Sequence, residues 1–279
     1  VPIYDQSYRP YRGALSSHAM RWWTITRSGL QQLLMKRVFL ILLTITFFPA
    51  VVFGFQIWFT HQFPGQELIT VDGGFFRLLM EIQLIWFFLL GIYPGTGLIS
   101  NDLRWNAIQL YLSKPLRKLD YVVGKLAIIC ILLLGVTLIP GLLLFALELG
   151  FSSDFSFLTT YWWVPFSIAA FSIVASFSWG MIVLALSSLT KSSRFAGVML
   201  FALILLSTAF GNFFATVTRS TGSITISALE DLKLLTYFFF GGTSEYGEHG
   251  FLALVMLTGF VGLSALVLRS RVRAVEVVT

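Results

Sequence analysis

Arg77 and Glu81 stand one helical turn apart inside an apolar run, and Glu148 closes another such run. Ionisable side chains at membrane depth bind or relay polar cargo, whereas those close to the surface extend their heads back to the lipid headgroups. Both readings stand for these three residues. Other reactive groups are sparse. His18, His61 and His249 are scattered without metal-ligand spacing, and Cys130 is alone, so neither an intrachain disulfide nor a thiolate metal cluster is available to it. No nucleophile elbow and no zinc motif occur. Gly124-Lys125 is preceded by Leu119 where a phosphate-cradling loop needs glycine, and is followed by Leu126 where it needs a hydroxyl. Neither catalytic residues, nor metal ligands, nor a nucleotide site are therefore expected in this chain.

The chemistry that remains is recognition. Between two long apolar runs, residues 100–125 read SNDLRWNAIQLYLSKPLRKLDYVVGK, a basic and half-apolar insert. Helical projection gathers Asp102, Asn106, Gln109 and Ser113 on one polar stripe, with Leu103, Ala107, Leu110 and Tyr111 turned away. This predicts one short amphipathic helix over 102–113, started by a Ser100 or Asn101 cap and favoured by Asp102 in its first turn. Pro115 forces Lys114 out of helical geometry and ends it. Leu116 to Leu119, with Arg117 and Lys118, then form a basic turn, and Asp120 caps the next helix. Such a helix either docks a partner or lies against lipid, and the residues alone leave both open.

The elements that position these groups follow from composition. The chain has 279 residues, 57% hydrophobic and 11% charged, with mean hydropathy +0.83, against about 25% charged residues in soluble domains. Continuously apolar windows near 38–60, 74–99, 121–149, 164–189, 197–217 and 251–268 match the roughly 20 residues that cross a bilayer as helix. They lack the alternation of a β-barrel. The expected fold is an all-α integral membrane protein of six spans forming one domain over residues 1–279.

Lysine and arginine orient it. All but Arg77, Arg219 and Lys233 of the nineteen basic residues fall before the first span, in the second and fourth connections, or after the sixth span. Most loop acids, including Glu67, Asp72, Asp154, Glu230, Asp231, Glu245 and Glu248, fall on the other side. Basic loops stay in the cytoplasm, so both termini are expected there. The pI of about 9.6 follows from basic loops beside anionic lipid and not from nucleic-acid binding, which needs a folded basic face.

Three further features stand out. Residues 20–36 are amphipathic, with Trp22, Trp23, Leu30, Leu33 and Leu34 on one face and Arg21, Thr24, Ser28 and Gln31 on the other. They form an interfacial helix or a cytoplasmic extension of the first span. Residues 218–250 hold a short apolar run, 234–240, followed by Gly241-Gly242, which is read as a re-entrant dip or an interfacial helix. Pro49, Pro94 and Pro140 interrupt three spans.

This order of parts, with the local pattern Ser100-Asn101-Asp102, Leu110-Tyr111-Leu112-Ser113-Lys114-Pro115, Arg117, Tyr121 and Gly124-Lys125, resembles the ABC-2 type permeases of bacterial ABC exporters. It departs from the pattern at Asn101-Asp102, where relatives carry an acidic pair, and at Asn106, where they carry a nearby glycine. The resemblance implies that the insert is a coupling helix, with Asp102, Leu103, Arg104, Asn106, Leu110, Tyr111, Lys114, Pro115, Leu116 and Arg117 as its ATPase-docking residues. It implies two copies of a separate ATPase subunit that binds ATP and Mg. It also implies a second permease copy or a related permease, and a place in the bacterial cytoplasmic membrane with lipid as the surrounding partner. Export of a hydrophobic or amphipathic compound is the expected function, with Arg77, Glu81 and Glu148 as candidates for its path. The alternative is a non-transporting structural subunit of an envelope or energy-transducing complex.

Overall fold

The computed structural model describes residues 20–63, 70–112, 116–152, 156–219, 221–242 and 249–272. Arg9, Arg12, His18, Glu67, Ser113, Lys114, Pro115, Asp154, Glu245, Glu248 and Arg273 lie outside these. Every regular element among the described residues is helical. In chain order they are α1 (Arg21–Leu34), α2 (Arg37–Ile45), α3 (Phe48–Gln62) and α4 (Gly73–Leu90), then a π-turn (Gly91–Gly95), α5 (Gly97–Arg104), α6 (Ala107–Leu112), α7 (Lys118–Phe151), α8 (Ser156–Tyr161), α9 (Val164–Leu189) and α10 (Ser193–Thr218). A 3-10 segment (Thr221–Ile226), α11 (Ala228–Phe240) and α12 (Gly250–Arg271) follow.

Six helical stretches are long and apolar enough to cross a membrane: Arg37–Gln62, Gly73–Arg104, Lys118–Phe151, Val164–Leu189, Ser193–Thr218 and Gly250–Arg271. The chain is a multi-pass membrane protein. The fourth span is central, with 72% of its most apolar window buried, while the fifth is peripheral at 11%. α9 packs on α7, α12 and α5, and α7 also receives α1, α3 and α4. Below, the end holding α1 and α6 is the near end, and the end holding α8 and α11 is the far end.

Prolines shape the spans in three different ways. Pro49 sits in the first turn of α3, where its missing N–H is harmless, and the first span breaks just before it, between α2 and α3. Pro94 lies inside the π-turn of the second span, a wider turn that accommodates the ring. Pro140 lies inside the unbroken 34-residue α7, so the expected interruption there is corrected. The backbone groups freed by these features are met by two side chains. Gln83 Nε2 donates to Val136 O at 2.8 Å, the carbonyl left without a partner by Pro140, and to Thr46 O at 2.9 Å, beside the break in the first span. Ser187 Oγ, from α9, accepts from the N–H of Ile99 and Ser100 and donates to Thr96 O at 2.7 Å, seating α5 after the π-turn. With no water at that depth, unpaired peptide groups are expensive, and Gln83 and Ser187 answer that need.

α1 lies along the near half of α7. Thr26 Oγ1 donates to Gly124 O at 3.0 Å, and a Cβ on Gly124 would meet Trp22 O and Ile25 Cβ at 2.9 Å. The packed face is therefore Trp22, Ile25, Thr26, Gly29 and Leu33, whereas Trp23 and Leu34, expected on the same face, are exposed.

At the far end the chain turns at Arg219, whose φ of 50° is left-handed, and runs back beside α10. Thr208 and Ser227 hydroxyls are 2.9 Å apart, and Gly211 leaves room for the carbonyls of Ser223 and Ile224. Ser227 then caps α11 by accepting from Glu230 N at 3.5 Å. α11 climbs out against α4, α9 and α12, held by Ser167 Oγ donating to Phe239 O at 2.8 Å.

Candidate functional site

The single helix expected over 102–113 is two pieces. α5 continues the second span through Arg104, and Asn106, at φ 52°, turns the chain before α6 begins. Asparagine tolerates this left-handed backbone better than most side chains, and helical periodicity running through the turn concealed it. Ser100 and Asn101 consequently do not cap a helix. Ser100 is buried within α5 with its hydroxyl on Thr96 O at 2.6 Å, and Asp102 stands in the last turn of the span.

A polar clasp ties these pieces to the third span. Asp102 Oδ2 receives Lys125 Nζ at 2.7 Å and the Tyr121 hydroxyl at 2.7 Å. Side-chain exposures of 16% for Asp102 and 10% for Lys125 show that this pair is largely out of water. Tyr111, from α6, packs on Tyr121 with ring centroids 5.4 Å apart, and Lys125 Nζ lies 5.8 Å and 5.6 Å from the two ring centres, within cation–π range. Burial, and secondarily the charge of Asp102, raises the Tyr111 phenol above its usual range, keeping it neutral.

Around the clasp, Ile108 is buried, and Leu103 and Leu116 are half-buried against the core. Arg104, Trp105, Asn106 and Gln109 are exposed. Trp105 is 74% exposed, with the Arg104 guanidinium 5.3 Å from its ring centre. Arg117 is the N-cap of α7, which begins at Lys118, so the basic turn expected over Leu116 to Leu119 is shorter and Asp120 stands not at the cap but in the first helical turn, where its Oδ2 accepts from the Arg117 N–H at 3.0 Å. Leu110 belongs to α6; Lys114 and Pro115 lie outside the described residues.

At the far end, the candidates for a cargo path fall into two separate tethers. Arg77 bonds Glu81 at 2.5 Å, lies over the Tyr237 ring at 4.2 Å, and Thr236 Oγ1 donates to Glu81 at 3.1 Å. This pair joins the second span to α11. Glu148 instead meets His61 Nε2 at 3.1 Å, joining the third span to the first, with His61 stacked on Phe151. Among the described residues, no three of His, Cys, Asp and Glu gather at metal-binding spacing.

Neither a search of protein-family models nor a search of curated proteins returned a match.

Sequence reasoning missed four contributors. Trp105, between Arg104 and Asn106, is given no role by the helical projection, yet it is the large exposed apolar surface of the insert. Lys125 enters the sequence reading for its failure to form a phosphate loop and, with Tyr121, as part of a pattern, without a partner for either. Their meeting with Asp102 is a contact between residues 19 and 23 positions apart across a turn, which no local spacing encodes. Asp231 was counted as a loop acid, yet it is wholly buried with neither carboxyl oxygen hydrogen-bonded.

Proposed function

We propose that this chain is the membrane subunit of an ATP-driven exporter of the ABC-2 type, working in a pair of permease subunits with two copies of a separate ATPase that binds ATP and Mg. The observation that carries the reading is the clasp. It fixes α6 to the second and third spans at once while leaving Arg104, Trp105, Asn106 and Gln109 facing outward. A partner gripping that exposed face moves two spans together, because a buried ion pair and packed rings do not yield as a loop does.

The docking face is accordingly Arg104, Trp105, Asn106 and Gln109, with Arg117 beside it. Asp102 and Tyr111 act from behind by holding that face. α6 lies in the cytoplasm together with both termini, in the bacterial cytoplasmic membrane, following the basic-residue bias. α1 rests in the inner interface, with Trp23 and Leu34 toward lipid. The 3-10 segment and α11 make a re-entrant pair at the outer side, whose irregular backbone is tolerated because it packs on α10 and the bundle. The exposed apolar wall of α10, including Phe201, Leu205 and Phe213, meets lipid and the second permease. The cargo is hydrophobic or amphipathic, in keeping with an interior in which polar groups are mostly spent on the backbone.

The test is co-purification with a co-expressed Walker-motif ATPase. Trp105→Ala combined with Arg104→Glu is expected to release the ATPase while the permease remains inserted and monodisperse; undiminished capture refutes the docking assignment.

A further inference from the structure

At the near end, α1, the second span, α7 and the start of α10 enclose a cavity of about 320 Å³. Leu33, Pro94 and Leu98 supply apolar lining, and Gln32, Lys36, Asn101 and Ser193 supply polar lining. Tyr93 stands at the rim, 44% exposed and stacked on Phe39. From Tyr93 to Asn101 the lining follows eight residues of helix, about 12 Å of rise. Along the second span the lining thus passes from Pro94 and Leu98 to Asn101 and Asp102.

Its charge is positive. Lys125 lines it but is neutralised by Asp102, whereas Lys36 has no ion-pair partner among the described residues. The amides of Gln32 and Asn101 and the hydroxyls of Tyr93 and Ser193 line the same cavity and add donors to it. Glycine creates the space: a Cβ on Gly97 would stand 2.8 Å from Asn101 Nδ2 and 3.8 Å from Ser193 Cβ. One uncompensated cation among neutral donors suits a phosphate oxygen cluster, and the volume suits a headgroup while excluding a whole lipid. Lys36 leads directly into α2, whose Val38 and Ile41 are 61% and 60% exposed and free to meet acyl chains.

We propose that this cavity is a binding site for the phosphate-bearing headgroup of a membrane lipid, seated between α1 and the second span. The same phosphate chemistry is offered by a soluble anion, but the apolar part of the lining and the adjoining exposed α2 favour an amphiphile. Nothing in this assignment depends on an ATPase or on transport.

The experiment uses the full chain, delipidated in detergent, with lipid retention read by native mass spectrometry after adding phosphatidylglycerol or diacylglycerol with the same acyl chains. A parallel arm adds inorganic phosphate and follows the melting temperature. Phosphatidylglycerol is expected to be retained at least fivefold over diacylglycerol. Lys36→Gln with Asn101→Leu is expected to remove that preference, and Lys191→Gln, a change of basic charge outside the cavity lining, to preserve it. Should the double variant fail to fold, Ser193→Leu closes the cavity from α10 and is expected to give the same loss. Equal retention of the two lipids, or a preference unchanged by both cavity variants, overturns the proposal. Equal protection by inorganic phosphate overturns the lipid assignment.

Discussion

Replacing Lys125 by Met tests whether the near-end clasp is a rigid element. The substitution keeps the length of the side chain and removes its charge, leaving Asp102 Oδ2 with only the Tyr121 hydroxyl, 2.7 Å away. Removing one partner of a fully buried pair destabilises by roughly 3–5 kcal/mol. The residual exposures of 10% and 16% admit some water, so about 2–3 kcal/mol is expected. Asp102→Asn with Lys125→Met leaves no uncompensated charge and should lose only about 1 kcal/mol. Asp102→Asn alone, which leaves Lys125 uncompensated, is expected to cost about 2–3 kcal/mol as well, so the coupling energy of the double-mutant cycle is about 3–5 kcal/mol. Thermal unfolding in detergent measures it, at about 2–4 °C per kcal/mol for a chain of this size. ATPase capture on the same four proteins asks whether a loosened clasp also loosens the partner. If the two single substitutions simply add, the ion pair is not what holds α5 to α7, and the transmission argument fails with it.

Three other outcomes follow from the same reasoning. Gln83→Leu strips donors from Val136 O and Thr46 O; at about 0.6–1.7 kcal/mol per membrane hydrogen bond, a loss of about 1–3 kcal/mol is expected in denaturant unfolding, with Gln83→Ala no milder. Asp231 is lifted to about 8, chiefly by burial and then by Glu230, so the folded chain holds a proton that the unfolded chain releases near pH 4. Stability contributed by this group is therefore full below about pH 4 and is lost as pH rises toward 8, at up to about 1.4 kcal/mol per unit. Asp231→Asn should flatten that slope in melting curves taken between pH 5 and 9, and an unchanged slope counts against a buried, proton-bearing carboxyl. Gly124→Ala places a methyl against Trp22 O and Ile25; overpacking of about 1–3 kcal/mol should lift α1 and speed tryptic cleavage at Arg27, whereas unchanged cleavage would show α1 held by other contacts.

Helix number, span positions and the polar character of the insert were legible because each is local. Twenty-odd apolar residues must make a helix where water is absent, and a turn of Lys, Arg and Asp cannot enter the hydrocarbon. The far-end insert that holds α11 falls in the same class. Periodicity misled at Asn106, where one left-handed residue divides a pattern that reads as continuous, and at Pro140, whose freed carbonyl is met by a side chain from another span.

By itself, then, the sequence determined that the chain is a bundle of six apolar helices with a basic, half-apolar insert at one end. Hydropathy and helix length are properties of consecutive residues, so no folding partner is needed to read them. Tertiary structure alone decided that α9 is central and α10 peripheral, that Lys125 and Tyr121 converge on Asp102, and that Trp22, Ile25 and Thr26, and not Trp23, form the seat of α1. Those outcomes depend on which of several equally apolar faces find complementary surfaces, such as the flat backbone at Gly124. That choice rests on shape and hydrogen-bond satisfaction across the bundle, which composition and periodicity do not carry.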